Sequence, residues 1–274
     1  MTDRVQALIE KLRVKPGERV KLKDRDARDK CIFEDEEATR AATADLAKDI
    51  DTLQDRLYAE GTRALLVVLQ GTDTSGKDGT IRSVFNATGP LGVTVTPFGP
   101  PTKTELAHDY LWRVHAACPR RGTIGIFNRS HYESVLVEKV RNLAEKDAVE
   151  QRYDQINAFE KLLVENGTTI LKFMLHISKD EQKERLQERL DNPKKNWKFN
   201  PGDLEDRKLW DEYQDAYETM LHRCSTSWAP WHVIPADRKW VRNAAIASIV
   251  KETLEEMNPR YPRAAWKPGE FMIP

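Results

Sequence analysis

Hydrophobic positions recur along the first sixty residues with helical spacing. Leu46, Ile50, Leu53 and Leu57 fall three and four residues apart, which predicts a long helix over Glu34 to Glu60. Gly61 is placed to end it as a C-cap. A short amphipathic helix and a charged segment, Arg13 to Lys30, precede it. The pattern then changes. Ala64 to Leu69 is continuously apolar rather than alternating, as in a strand buried on both faces of a parallel sheet. Further runs at Val93 to Phe98, Thr123 to Phe127, Thr169 to Ile177 and Trp231 to Ile234 are separated by helical segments. Strands alternating with helices predict an α/β fold with a doubly wound, parallel, five-stranded sheet.

This organisation suggests an N-terminal helical extension, residues 1–60, followed by a single core over residues 61–274. No internal repeat or low-complexity linker interrupts it. Leu190 to Asp203, LDNPKKNWKFNPGD, is the long segment rich in breakers and bases. Loops of that length in a compact domain are often functional lids.

Composition narrows the classes of function. The 274 residues carry 44 basic and 44 acidic side chains, so the global field cannot attract a polyanion, and such a ligand needs a local basic patch. Neither this balance nor a recognised module supports nucleic-acid binding. No apolar stretch approaches a membrane span, and the N-terminal MTDRVQALIEK lacks the apolar core of a secretory signal, so a cytoplasmic protein is expected, with no membrane partner. Cys31, Cys118 and Cys224 are odd in number and lack a CxxC pair, so free thiols are expected.

The first candidate chemistry follows the first strand. Gly71-Thr72-Asp73-Thr74-Ser75-Gly76-Lys77 satisfies the phosphate-loop pattern G-x-x-x-x-G-K between a buried strand and a helix expected to begin near Lys77. Backbone amides of such a loop converge on an anion, the helix N-terminus adds positive partial charge, and the lysine reaches the terminal phosphates. The generic motif continues with a metal-binding Ser or Thr; here Asp78, Gly79 and Thr80 follow. Asp73 offers a carboxylate beside the phosphates, for a metal ion or for orienting an attacking oxygen.

A second constellation, Asn128-Arg129-Ser130-His131-Tyr132-Glu133, follows the third strand. Neighbouring strand ends of an open α/β sheet share one crevice, so this segment is expected beside the phosphate loop. Arg129 can stabilise developing charge, and Glu133 is a metal or base carboxylate. Pairing of Arg129 with Glu133 at i,i+4 is the alternative role. His131 and Tyr132 receive no chemistry.

Four blocks, LLVVLQGTDTSGKDGTIRSVF, HDYLWRVHAACPRRGTIGIFNRSHYE, KNWKFNPGDLEDRKLWDEYQDAY and WHVIPADRKWVRN, together resemble the polyphosphate kinase 2 family over roughly Leu53 to Asn243. The branch they resemble most is class III, which uses nucleoside mono- and diphosphates. That resemblance implies a P-loop kinase fold similar to thymidylate kinase, with a helical lid over about residues 179–210 and assembly as homodimers or homotetramers. It makes Asp73, Lys77, Arg129 and Glu133 the expected catalytic residues. Gly71, Thr74, Ser75, Gly76, Asp78, Gly79, Thr80, Arg82 and Asn128 are the expected phosphate- and nucleotide-binding group. Arg185, Arg189, Lys194, Lys195, Lys198 and Arg207 are expected in the lid over the polyphosphate. Asp73 and Glu133 are the expected ligands of Mg²⁺, for which Mn²⁺ can substitute. The implied partners are inorganic polyphosphate and adenine nucleotides, with guanine nucleotides the second class to test.

Two positions depart from the pattern. Asn128 stands where other branches carry Asp, in agreement with class III. Ser134 follows Glu133 where the class III pattern reads HYED, which leaves the choice between AMP and ADP open. The rival readings are an ATP-dependent kinase on the same fold and a non-catalytic nucleotide switch. No N-K-x-D guanine-reading tetrapeptide is present.

Overall fold

The computed structural model describes residues 2–267 and 269–273. Five parallel strands, β1 (Ala64–Gln70), β2 (Val93–Pro97), β3 (Ile124–Asn128), β4 (Thr168–His176) and β5 (Trp231–Pro235), form one sheet in the order β2-β3-β1-β4-β5. All five lie within a residue or two of the apolar runs. The helices are α1 (Thr2–Leu12), α2 (Glu36–Glu60), α3 (Lys77–Val84), α4 (Lys103–Leu106), α5 (Trp112–Ala117), α6 (Val137–Val140), α7 (Lys146–Glu165), α8 (Lys179–Asp191), α9 (Gly202–Lys208), α10 (Trp210–Cys224) and α11 (Lys239–Met257).

Both faces of the sheet are covered because side chains alternate along a strand. Leu65, Val67 and Leu69 of β1 enter a core shared with α1, α2 and α11. Leu66 and Val68 enter the opposite core, shared with α7 and α10. The continuous apolar run of β1 is thus two interleaved faces, each buried. Strand β2 occupies the sheet edge and keeps Thr94, Val95 and Pro97 exposed.

Helix α2 begins two residues later than its periodicity suggests. The Asp35 carboxylate accepts from the Ala38 amide at 2.7 Å and caps the helix there. Gly61 ends it at φ 66°, a conformation that favours glycine. Residues before β1 pack into the same cores: Leu8, Ile9 and Leu12 join the first, and Val14, Val20 and Leu22 the second. The Val14 amide donates to Trp231 O of β5 at 2.8 Å. All three cysteines are free, and burial pushes each thiol up to about 12. Among the described residues, no helix is long and apolar enough to cross a membrane.

Candidate active site

The two motifs leave adjacent strand ends. Leu69 of β1 is in register with Asn128 of β3, so the loop after Gln70 and the turn after Asn128 start side by side. Backbone geometry then shapes the loop. Gly71 has φ 148°, and a Cβ there would stand 2.7 Å from Leu175 O of β4; Gly76 has φ 101°, and a Cβ would meet the Arg242 guanidinium. Thr74 and Arg129 adopt left-handed conformations at φ 66° and 61°. Such a conformation costs a non-glycine residue about 1 kcal/mol or more, so tertiary contacts must hold it.

Arg129 is the hub. Its Nη2 lies 2.5 Å from Asp73 Oδ1 and its Nη1 3.2 Å from Glu133 Oε2. Burial alone would lower the Arg129 pKa; the Glu133 and Asp73 carboxylates outweigh it and hold the guanidinium charged. The i,i+4 pairing anticipated as an alternative role exists, together with the longer-range pair to Asp73. Lys77 is buried, and its ammonium donates to Gly71 O at 2.7 Å and Thr72 O at 3.3 Å. Burial, aided by the Arg129 charge, depresses its pKa to about 8 against the attraction of Asp73, Glu133 and Asp78.

Asp78, the departure from the generic loop, accepts from Asn128 Nδ2 at 2.8 Å and faces Lys198 at 3.6 Å. Burial opposes its ionisation; the Asn128 hydrogen bond and the Lys198 and Lys77 charges prevail and lower its pKa. Thr72, Thr74 and Thr80 each carry a buried hydroxyl oxygen with no hydrogen-bond partner among the described residues.

A cleft of about 530 Å³ opens in front of this loop. Its lining carries eight basic side chains, Lys77, Arg129, Arg185, Arg189, Lys195, Lys198, Lys239 and Arg242, against three acidic ones, Asp73, Asp78 and Glu188. A second cleft of about 430 Å³ is lined by Tyr110, Arg113, His131, Glu133, Ser134 and Arg152, among others. The Arg129–Glu133 pair stands between the two, since Arg129 lines the first and Glu133 the second.

The expected lid residues divide into groups. Arg185 is buried in α8 and turned inward: it donates to Thr74 O and Ser75 O of the phosphate loop, to Ala236 O and Asp237 O after β5, and to Glu181. Arg189 joins Lys198 O and the Asp203 carboxylate. Lys195 pairs with Glu188 across the same short segment. Lys194 is exposed and stands outside the cleft lining, and Arg207 donates to Lys179 O and Gln182 Oε1, also outside it. Arg82 of α3 is exposed and does not line the cleft either, because α3 turns that side chain away.

Two cations of the cleft have no assigned role in the sequence reading. Lys239 and Arg242 lie one turn apart at the start of α11. Arg242 is only 2% exposed; it donates to Ser75 O at 3.1 Å and to Asn243 Oδ1 at 2.9 Å, and no carboxylate among the described residues pairs with it. Burial, then the neighbouring Arg185 charge, depresses it to about 9, still charged at neutral pH. The available signal is a lone arginine inside the apolar run WVRNAAIASIV. An arginine there must either snorkel or face a polar site.

The family model for polyphosphate kinase 2 matches residues 33–262. The chain belongs to that family. It is 54% identical over 256 residues to a Meiothermus ruber protein named AMP/ADP-polyphosphate phosphotransferase, covering 93% of this chain and 96% of that protein. It is 40% identical over 262 residues to the ADP-polyphosphate phosphotransferase of Rhodopseudomonas palustris, covering 91% of each. The crystal structure of polyphosphate kinase 2 from Arthrobacter aurescens TC1 superposes with a TM-score of 0.92 at 41% identity, covering 95% of this chain and 93% of that one. The P-loop kinase fold of this chain is therefore that of the polyphosphate kinase 2 family.

Among the described residues no group of three or more His, Cys, Asp or Glu could hold a metal ion by protein ligands alone. The oxygen donors present still suit Mg²⁺, which is commonly held by one or two carboxylates together with substrate phosphates. Asp73 and Glu133 flank the same guanidinium at the meeting of the two clefts.

Proposed function

We propose that the protein transfers the terminal phosphoryl group of inorganic polyphosphate to AMP and to ADP, reversibly, with the donor in the basic cleft and the acceptor in the neighbouring one. The observation that carries the reading is the charge of the donor cleft: eight cations against three anions, in a chain of zero formal net charge. A low-dielectric recess lined by one sign of charge focuses attraction on a polyanion that the whole molecule would not attract. The names of the 54% and 40% identical relatives support the same donor, and between them name AMP and ADP as acceptors.

The residues divide the work. The phosphate-loop amides and the N-terminus of α3 receive the terminal phosphate of the donor, with Lys77 beside it. Arg129, held between Asp73 and Glu133, faces the charge that spreads over the transferred group during in-line displacement. Arg185 and Arg242 brace Ser75 O from behind, which keeps the loop amides aimed before substrate arrives. Asp73 and Glu133 would hold Mg²⁺, or Mn²⁺ in its place, and the bound ion would neutralise phosphate charge. Lys195, Lys198 and Arg189 close over the chain and exclude water that would hydrolyse it. Arg113 and Arg152 supply the charge for the acceptor's phosphates.

A cytoplasmic homodimer or homotetramer is the accompanying expectation, to be checked by light scattering. The deciding experiment incubates pure protein with Mg²⁺ and long-chain polyphosphate, with AMP in one tube and ADP in another, and separates products by ion exchange. ADP followed by ATP from the AMP tube supports the reading with Ser134 tolerated. Reaction with ADP only makes it diphosphate-specific. No reaction in either, with ATP serving as donor to another acceptor, replaces it with an ordinary kinase.

A further inference from the structure

Strand β4 reads Thr-Thr-Ile-Leu-Lys-Phe-Met-Leu-His, and Lys172 sits in its middle at 0% exposure. Alternation puts Lys172 on the same face as Ile170 and Met174, inside the core covered by α7 and α10. A lysine there needs a partner. Its ammonium donates to Glu160 Oε2 of α7 at 2.6 Å, to Tyr132 OH at 2.9 Å and to Cys224 O at the end of α10 at 2.7 Å. Glu160, also fully buried, accepts through Oε1 from Tyr132 OH at 2.7 Å and faces His131 Nε2 at 3.2 Å. The buried carboxylate stays ionised: burial opposes it, and the charge of Lys172 together with the contacts from His131 and the Lys172 hydrogen bond outweighs burial.

His131 and Tyr132 are the two residues between Ser130 and Glu133 in the turn that carries the reaction hub. The same turn is tied to the phosphate-loop strand by Ser130 Oγ, which accepts from Gln70 Nε2 at 3.0 Å and from the Tyr132 amide at 3.2 Å. Arg129 enters this turn in a left-handed conformation that its own side chain does not favour. The surroundings therefore hold it: Ser130 ties the turn to β1, and the next two side chains, His131 and Tyr132, tie it to Glu160 and Lys172.

We propose that Lys172, Glu160, Tyr132 and His131 form a buried positioning network that fixes the Arg129–Glu133 turn in the geometry needed for phosphoryl transfer. It rests on the assignment of Arg129 and Glu133 to that reaction. A hydrophobic filling of the same volume would stabilise the fold equally well or better, since buried ion pairs rarely add net stability. What the network supplies is direction: its hydrogen bonds fix the phenol and imidazole, and through them the backbone that aims Arg129.

The test separates aiming from folding. Either Lys172→Met or Glu160→Leu alone leaves an unpaired buried charge and is expected to unfold readily. The double variant Lys172→Met/Glu160→Leu removes both charges and is expected to recover most of the stability that either single change loses, short of the wild type because the Tyr132 hydroxyl and Cys224 carbonyl lose their partners. Its kcat is nevertheless expected to fall on the order of 10²-fold, with KM for polyphosphate and nucleotide changed by less than about threefold. Amide exchange over residues 129–134 should accelerate. Lys172→Met/Glu160→Gln, which keeps a neutral acceptor for Tyr132 and His131, should recover most of the lost kcat. Wild-type kcat and exchange in a folded Met/Leu variant would overturn the proposal. Should that variant fail to fold, Tyr132→Phe decides: about tenfold lower kcat with faster exchange is expected, and unchanged kcat overturns the network's role. A wild type inactive with polyphosphate defeats the functional assignment instead, while the exchange comparison still reports whether the network holds the turn.

Discussion

The phosphate loop with its neighbouring turn and the segment over residues 192–208 both contribute to the basic cleft, yet they are held in opposite ways. Around the loop, Arg185 and Arg242 converge on Ser75 O from α8 and α11, and Arg129 bridges two carboxylates from separate elements. Ser75, Arg185 and Arg242 are buried, and Asp73, Arg129 and Glu133 are half-buried. The segment over 192–208 is held mainly by bonds to α8 and to itself, such as Asn196 Nδ2 to Arg189 O and Leu190 O, and Trp197 is 78% exposed. Its link to the loop is the Lys198–Asp78 pair, with Lys198 31% and Asp78 61% exposed. A centre that must stabilise a transition state benefits from groups fixed in advance, whereas a cover that admits a long polyanion must detach cheaply. Exposed pairs of this kind contribute little stability and weaken with salt.

The contrast makes graded predictions. Asp73→Asn should cost the most, lowering kcat by about 10³-fold or more, because the Arg129 fork loses the nearer of its two charged partners and the proposed metal site loses a carboxylate. Circular dichroism should show an intact fold, and near-normal turnover would remove Asp73 from the mechanism. Arg242→Gln, on the rigid side, should reduce kcat/KM for polyphosphate by roughly 10- to 100-fold, the worth of a charged hydrogen bond, and leave the nucleotide KM unaltered. Its thermal midpoint should hold, since an unpaired buried cation has been removed; a loss confined to the nucleotide KM would move Arg242 to the acceptor side.

Lys77 predicts a pH response of similar kind. Its pKa in the folded protein, about 8, lies below its ordinary value of 10.5. The unfolded chain therefore binds more protons between those values, and the group's contribution to stability rises with pH across that window. Activity runs the other way. As the ammonium is lost above about pH 8, kcat/KM for polyphosphate should fall, approaching tenfold per pH unit. A flat profile to pH 9.5 would mean that the bound lysine is not the charged donor contact. The smallest effect belongs to the more exposed side of the comparison: Lys198→Ala should raise the polyphosphate KM by about two- to fivefold, less so in high salt. A hundredfold loss would show that the cover is as tightly coupled to the chemistry as the loop.

How far each feature could be read in advance follows from the range of the interaction that determines it. Strand β1 was legible because burial on both faces removes every polar residue from Ala64 to Leu69. The phosphate loop was legible because its glycines sit at positive φ within one contiguous motif, 148° at Gly71 and 101° at Gly76. Arg185 was not: on α8 it resembles the exposed bases around it, and only the packing of that helix against the loop turns it inward. Lys172, set among apolar residues, signals a buried charge, but its acceptors lie 12, 40 and 52 residues away in the chain.

The sequence by itself therefore determined the parallel α/β architecture, the anion-binding loop and the family, since these rest on periodicity, local backbone constraints and contiguous motifs. Only the tertiary structure decided which cations line the basic cleft, which of them bond the phosphate loop, and which carboxylates pair with Arg129. Those outcomes depend on contacts between residues far apart in the chain, and the same arginine or lysine is compatible with solvent, structure or substrate until its neighbours are in place.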